Sequence, residues 1–159
     1  MRPDREDRLY YFEDLSPGRT FKLGPRLVTA EEIIEFATEF DPAPFHLSEE
    51  GGAKSMLGRL SASGFHTCSI LMKLLCDSFL LETASQGGTG VDQVRWLKPV
   101  CPDDTLHGVA TVIAARPSKS RPAVGVVTFN YELFNDCGEA VLTMKSTGLI
   151  DRAKPQVVA

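Results

Sequence analysis

A carboxylate and an imidazole, Asp41 and His46, flank the run Pro42-Ala43-Pro44-Phe45. Side chains of these two types can face one water, the carboxylate orienting the ring while either group moves a proton. The two prolines each remove a backbone donor and push the preceding residue out of the helical region, so His46 is expected on an ordered, extended loop. Further on, Ser63-Gly64 precedes a long apolar run and is expected to start a helix. The unpaired N–H groups of such a start carry about half a positive charge, suited to an oxygen that becomes negative. Gly64 is the expected donor, because without a side chain it lets a carbonyl approach the backbone. Ser63 is expected to cap the helix by accepting an N–H bond. Base, acid and positive dipole are what adding or removing water beside a carbonyl requires.

The elements that must position these groups follow from periodicity. Residues 20–28 read as a strand broken by Gly24-Pro25, hence one at a sheet edge or with a bulge. Thr29 and Glu32 form a capping box, and Ile33, Phe36, Ala37 and Phe40 follow at helical spacing, giving about three turns up to the prolines. From Gly64 to about Thr83 the pattern is helical again. Apolar residues cover most of that circumference, leaving a narrow polar stripe through His66, Ser69, Lys73 and Asp77, so the helix is expected to be nearly surrounded by protein. A Gly87-Gly88 turn leads into four strand-like runs at 89–98, 105–115, 123–134 and 139–150. In the third, Val127, Phe129, Tyr131 and Leu133 alternate with polar residues, and Asn135-Asp136-Cys137-Gly138 supplies a hairpin turn. Short connections imply antiparallel pairing, and one helix followed by such a sheet implies the α+β class.

The chain has 159 residues, 43% of them apolar and 24% charged, which suits one soluble domain. Residues 1–9 read as a flexible lead-in, 10–150 as the folded body and 151–159 as a flexible tail. No apolar stretch is long enough to span a bilayer, and the charged N-terminus lacks the centre of a secretory signal, so a cytoplasmic location is expected. The net charge of −4, with no basic run, argues against nucleic acid as a partner. Cys68, Cys76, Cys101 and Cys137 form no CxxC pair and read as free thiols.

At residues 40–55, FDPAPFHLSEEGGAKS, the sequence resembles the hydratase signature of MaoC-like dehydratases and (R)-specific enoyl-CoA hydratases, with Asp41, Pro44, Phe45 and His46 on the motif. RLSASGFHT at 59–67 resembles the lead-in to that family's central helix, and VRWLKPVCPDDTL at 94–106 its following strand. The resemblance implies a hotdog fold, an antiparallel sheet wrapped around a long helix. It also implies a hydro-lyase acting on a 2-enoyl or 3-hydroxyacyl thioester of coenzyme A or acyl carrier protein, with an (R)-3-hydroxy product. Asp41 and His46 would share the water and proton work, and Ser63 would flank the substrate. The thioester itself is the only coenzyme implied. A homodimer is expected, since a lone sheet of this kind leaves edges and one helix face uncovered. Two positions depart from the pattern: Ala43 stands in the Asn place, and Pro102-Asp103-Asp104 where Pro-Gly-Asp is frequent.

The remaining polar residues carry plainer readings. His66 is expected to be structural, Arg95 either a sheet-surface residue or a contact to a coenzyme A phosphate, and His107 an exposed strand residue. Lys73 and Asp77 form an i, i+4 pair. One histidine and one carboxylate fall short of the three protein ligands of a catalytic zinc site, so no metal is expected. Two other functions stay open. A hotdog thioesterase would need a carboxylate on the central helix near Gly64, whereas Asp77 and Glu82 lie more than two turns away. A non-catalytic acyl-thioester-binding subunit is kept open by Ala43.

Overall fold

Residues 10–153 are described by a computed structural model. In chain order they form β1 (Thr20–Leu27), α1 (Ala30–Phe40), α2 (Pro44–Leu47), α3 (Glu49–Ala53) and α4 (Gly64–Ser78). Then come β2 (Ser85–Trp96), β3 (Thr105–Pro117), β4 (Val124–Phe134) and β5 (Ala140–Asp151). The five strands make one antiparallel sheet in the order β1-β3-β4-β5-β2. Its core face packs on α4: Ile70, Leu71, Leu74 and Leu75 are buried with Val127, Phe129, Tyr131 and Leu133 of β4 and Leu142 of β5. Burial alternates along all of β4, as the period-two pattern predicts. This is the α+β hotdog arrangement expected from the sequence.

β1 is an edge strand whose register shifts between Leu23 and Arg26, so the Gly24-Pro25 break falls where a missing donor is tolerated. Asp103, in the place where the resembling family has glycine, adopts a positive φ of 69°, a conformation that Asp tolerates better than most residues. Its neighbour Asp104 steadies the turn by accepting the Cys101 N–H at 2.9 Å.

Several expectations need correction. The helix from Gly64 stops at Ser78, not near 83, because Phe79 leaves helical geometry (φ −153°) to bury its ring against Phe21 at 4.0 Å. A short 3-10 turn, Leu80–Glu82, follows. Gly87 and Gly88 form no turn but lie inside β2, where the pairing with β5 shifts register three times. Nor is α4 surrounded: the sheet covers one side, and Phe65 and Met72 remain 68% and 48% exposed on the other. The capping box is half formed: Thr29 accepts the Glu32 N–H, while the Glu32 carboxylate pairs with Arg26 at 3.2 Å. At the C-terminal end the body runs past 150, with Asp151 in β5 and the Arg152 side chain and Ala153 N–H held by Glu13. The expected lead-in, 1–9, and the rest of the tail, 154–159, lie outside the described residues.

Candidate active site

Asp41 ends α1, its N–H still donating to the Ala37 carbonyl at 2.9 Å. The next residues do not form the extended loop that two prolines suggest. Pro44 occupies the first position of α2, where its missing N–H would have had no helical partner anyway, and His46 lies within that turn. Ala43 is the N-cap of α2 and offers no side-chain bond. An asparagine there would supply one, which gives a physical sense to the residue the resembling family prefers. Ser48 caps the following α3 by accepting the Gly51 N–H at 3.0 Å.

Ser61, itself 1% exposed, clamps this turn twice. Its N–H donates to the Phe45 carbonyl at 3.2 Å, and its carbonyl accepts from His46 Nδ1 at 2.6 Å. A carbonyl can only accept, so the hydrogen sits on Nδ1. That bond turns the other ring nitrogen, Nε2, toward Asp41 Oδ2, 3.5 Å away. The same carboxylate oxygen accepts the Ser63 hydroxyl at 2.7 Å.

Ser63 is thus the N-cap of α4 by position but not by side-chain bond, against expectation, because its hydroxyl is directed at a charged acceptor. The first bond of α4 runs from the Thr67 N–H to the Ser63 carbonyl, which leaves the N–H groups of Gly64, Phe65 and His66 as its unpaired first turn. Asp41, Gly64 and Thr67 open onto a cavity of about 360 Å³ that is walled also by Ala62, Trp96 and Val100. Asp41, with a side chain 37% exposed, faces this space. His46, with a side chain 9% exposed, stands behind it.

Trp96 gives Gly64 a structural need to lack a side chain, separate from the approach of a substrate carbonyl. A Cβ there would come within 2.5 Å of the Trp96 ring, whose Nε1–H donates to the Gly64 carbonyl at 2.9 Å. Trp96 is therefore a site residue that the sequence did not single out, and Ser61 is another. Arg95, by contrast, is not brought to the site. Neighbouring residues on a strand point to opposite faces, so Trp96 on Gly64 places Arg95 away from it, its guanidinium near the Val94 carbonyl.

A family model described as the MaoC like domain matches residues 13–131, about three-quarters of the chain and all of the site. The chain belongs to the MaoC-like family. This MaoC-like chain superposes on the crystal structure of a MaoC-like dehydratase from Rhodospirillum rubrum with a TM-score of 0.84 and 41% identity, over 91% of this chain and 99% of that one. It is 29% identical over 140 residues to the uncharacterised protein YdeM of Bacillus subtilis, covering 88% of this chain and 98% of YdeM. It is also 33% identical over 139 residues to mesaconyl-CoA hydratase of Cereibacter sphaeroides, covering 84% of this chain but only 38% of that enzyme.

The other candidates of this MaoC-like chain fall away from the cavity. His66 is 6% exposed and turned toward α1. Its ring stacks on Phe36 at 4.8 Å, Nε2 lies 3.6 Å from Glu32 Oε1, and Nδ1 has no partner among the described residues. Burial holds this imidazole below its ordinary pKa, with Glu32 opposing and Arg26 assisting. Lys73 and Asp77 bond to each other at 2.5 Å on exposed surface, and His107 is an exposed residue of β3.

Proposed function

We propose that the chain is a hydro-lyase that reversibly adds water to a 2-enoyl thioester, giving a 3-hydroxyacyl thioester of (R) configuration. The observation that carries this reading is the single oxygen, Asp41 Oδ2, that meets both His46 Nε2 and the Ser63 hydroxyl at a cavity beginning on the amide end of α4. A water seated against Asp41 and His46 gives its oxygen to the β-carbon, and the pair returns a proton to the α-carbon. Charge gathers meanwhile on the thioester oxygen, which the Gly64 N–H stabilises. These groups supply acid, base and dipole themselves, so the reaction calls on no cofactor. Family membership and the resemblance to mesaconyl-CoA hydratase support a thioester substrate.

A thioesterase reading fits less well. Asp77 lies thirteen residues beyond Gly64, about 20 Å along the helix, and is tied to Lys73, while Glu82 is in the separate 3-10 turn. The test is hydration of crotonyl-CoA, followed by loss of the conjugated thioester's absorbance. Turnover that disappears in Asp41→Asn and His46→Gln supports the hydro-lyase. Tight binding of thioesters of every length without turnover replaces it with the acyl-thioester-binding subunit.

A further inference from the structure

A second polar concavity lies at the opposite end of the sheet from Gly64. Its walls come from the β3–β4 hairpin, from β2 and from β5, with Arg116, Lys119 and Arg121 around it and the hydroxyls of Ser118, Ser120, Thr89 and Thr147 between them. The volume is about 460 Å³, and no carboxylate among the described residues lines it. Thr89 and Trp96 are seven positions apart on β2, or about 23 Å by strand rise, so this space is separate from the one at Asp41.

What sets the three cations apart is that they gather around one concavity, although Arg19, Lys22, Arg59, Arg95 and Lys145 also lack a carboxylate partner among the described residues. Arg26, Lys54, Lys73, Lys98 and Arg152 each pair with a carboxylate. Among the described residues Arg116, Lys119 and Arg121 pair with none, and Arg116 reaches only the carbonyl of its neighbour Pro117. The hairpin is ordered enough to hold them in place. The Arg121 N–H donates to Ser118 Oγ at 3.2 Å, and Ser118 and Val124 close the turn through backbone bonds. Like charges held around one concavity repel one another until an anion enters. Two forked guanidiniums, an ammonium and several hydroxyls match the oxygens of a phosphate group better than those of a lone carboxylate.

We propose that this pocket binds a phosphate-bearing ligand, through Arg116, Lys119 and Arg121. The phosphates can belong to the nucleotide end of a coenzyme A thioester or to a free polyphosphate. The inference does not depend on the hydro-lyase reading, since nothing in it involves Asp41 or His46.

The test is calorimetric titration of the full chain with coenzyme A, with inorganic pyrophosphate and with phosphate-free pantetheine. The combined variant Arg116→Gln, Lys119→Gln, Arg121→Gln is titrated alongside, its fold checked by circular dichroism, and Lys119→Gln alone gives a milder change at the exposed tip. Affinity for coenzyme A or pyrophosphate should fall about tenfold or more in the triple variant, fall less in the single one, and weaken with added salt. The Asp41→Asn, His46→Gln double variant should keep that affinity. Binding of coenzyme A but not pyrophosphate assigns the site to the nucleotide end, and binding of both to phosphate in general. The proposal is overturned if the wild-type chain binds neither, or if the folded triple variant binds as tightly as the wild type.

Discussion

The Ser63 hydroxyl donates to Asp41 Oδ2 over 2.7 Å, joining the end of one helix to the start of another across 22 positions of chain. This bond fixes the carboxylate relative to the unpaired amides of α4. A hydrogen bond to a charged group contributes about 1.5–3 kcal/mol. Ser63→Ala is therefore expected to lower kcat for enoyl-thioester hydration by about 10- to 100-fold and to lower the thermal midpoint by several degrees. Steady-state kinetics beside a melting curve checks both halves.

Asp41→Asn and His46→Gln should each lower kcat by about 10²–10⁴-fold, the usual scale for a positioned acid or base. Both residues are proposed to act on one water, so the double variant should be little worse than the poorer single one. Full additivity of the two losses in a double-mutant cycle would mean that they serve different steps.

Gly64→Ala should disturb the site through Trp96, since the added methyl occupies ring space. Overpacking of this kind costs about 1–3 kcal/mol. Adding Trp96→Leu makes room for the methyl, and the paired variant should recover stability relative to Gly64→Ala alone. Chemical denaturation of the four proteins measures this, and no recovery would show that the strain lies elsewhere.

His66 gives a pH dependence with a definite sign. Burial lowers its pKa in the folded chain below the ordinary 6.5, so the unfolded chain binds its proton more readily. Its contribution is present above about pH 6.5 and is lost as the pH falls below that value toward the folded pKa. His66→Phe should flatten the stability profile over the interval just below about pH 6.5 while leaving the hydration rate near neutrality within a few-fold. Melting curves across that interval would show an unchanged slope if another group were responsible.

β2 is an edge strand, and beside it Phe65, Val91, Trp96 and Leu97 are each about half exposed or more. A second copy pairing through β2 would cover them, so light scattering at micromolar concentration should give at least twice the 17.4 kDa chain mass. Val91→Lys should shift the population toward monomer. A wild-type monomer at that concentration would refute the homodimer.

Much was legible in the sequence because local physics decides it. Alternation in 124–134 stated which β4 side chains go inward, and Gly24-Pro25 stated that its strand lies at an edge or carries a bulge. Asp41 and His46 could be marked as a pair because they are near in sequence and of complementary chemistry. What local pattern does not encode is which distant groups meet. The Ser61 carbonyl that selects the His46 tautomer is 15 positions away, and the Trp96 ring that makes Gly64 necessary is 32 away. Capping rules assign Ser63 to its own helix because they weigh only neighbours, whereas the folded chain offers it a carboxylate. In the same way His66 reads only as part of a polar stripe until α1 packs over it and removes its water. Residue types and short spacings thus set the elements and the candidate chemistry. Tertiary packing alone chose the hydrogen-bond partners, because those depend on contacts between segments whose separation along the chain carries no periodic signal.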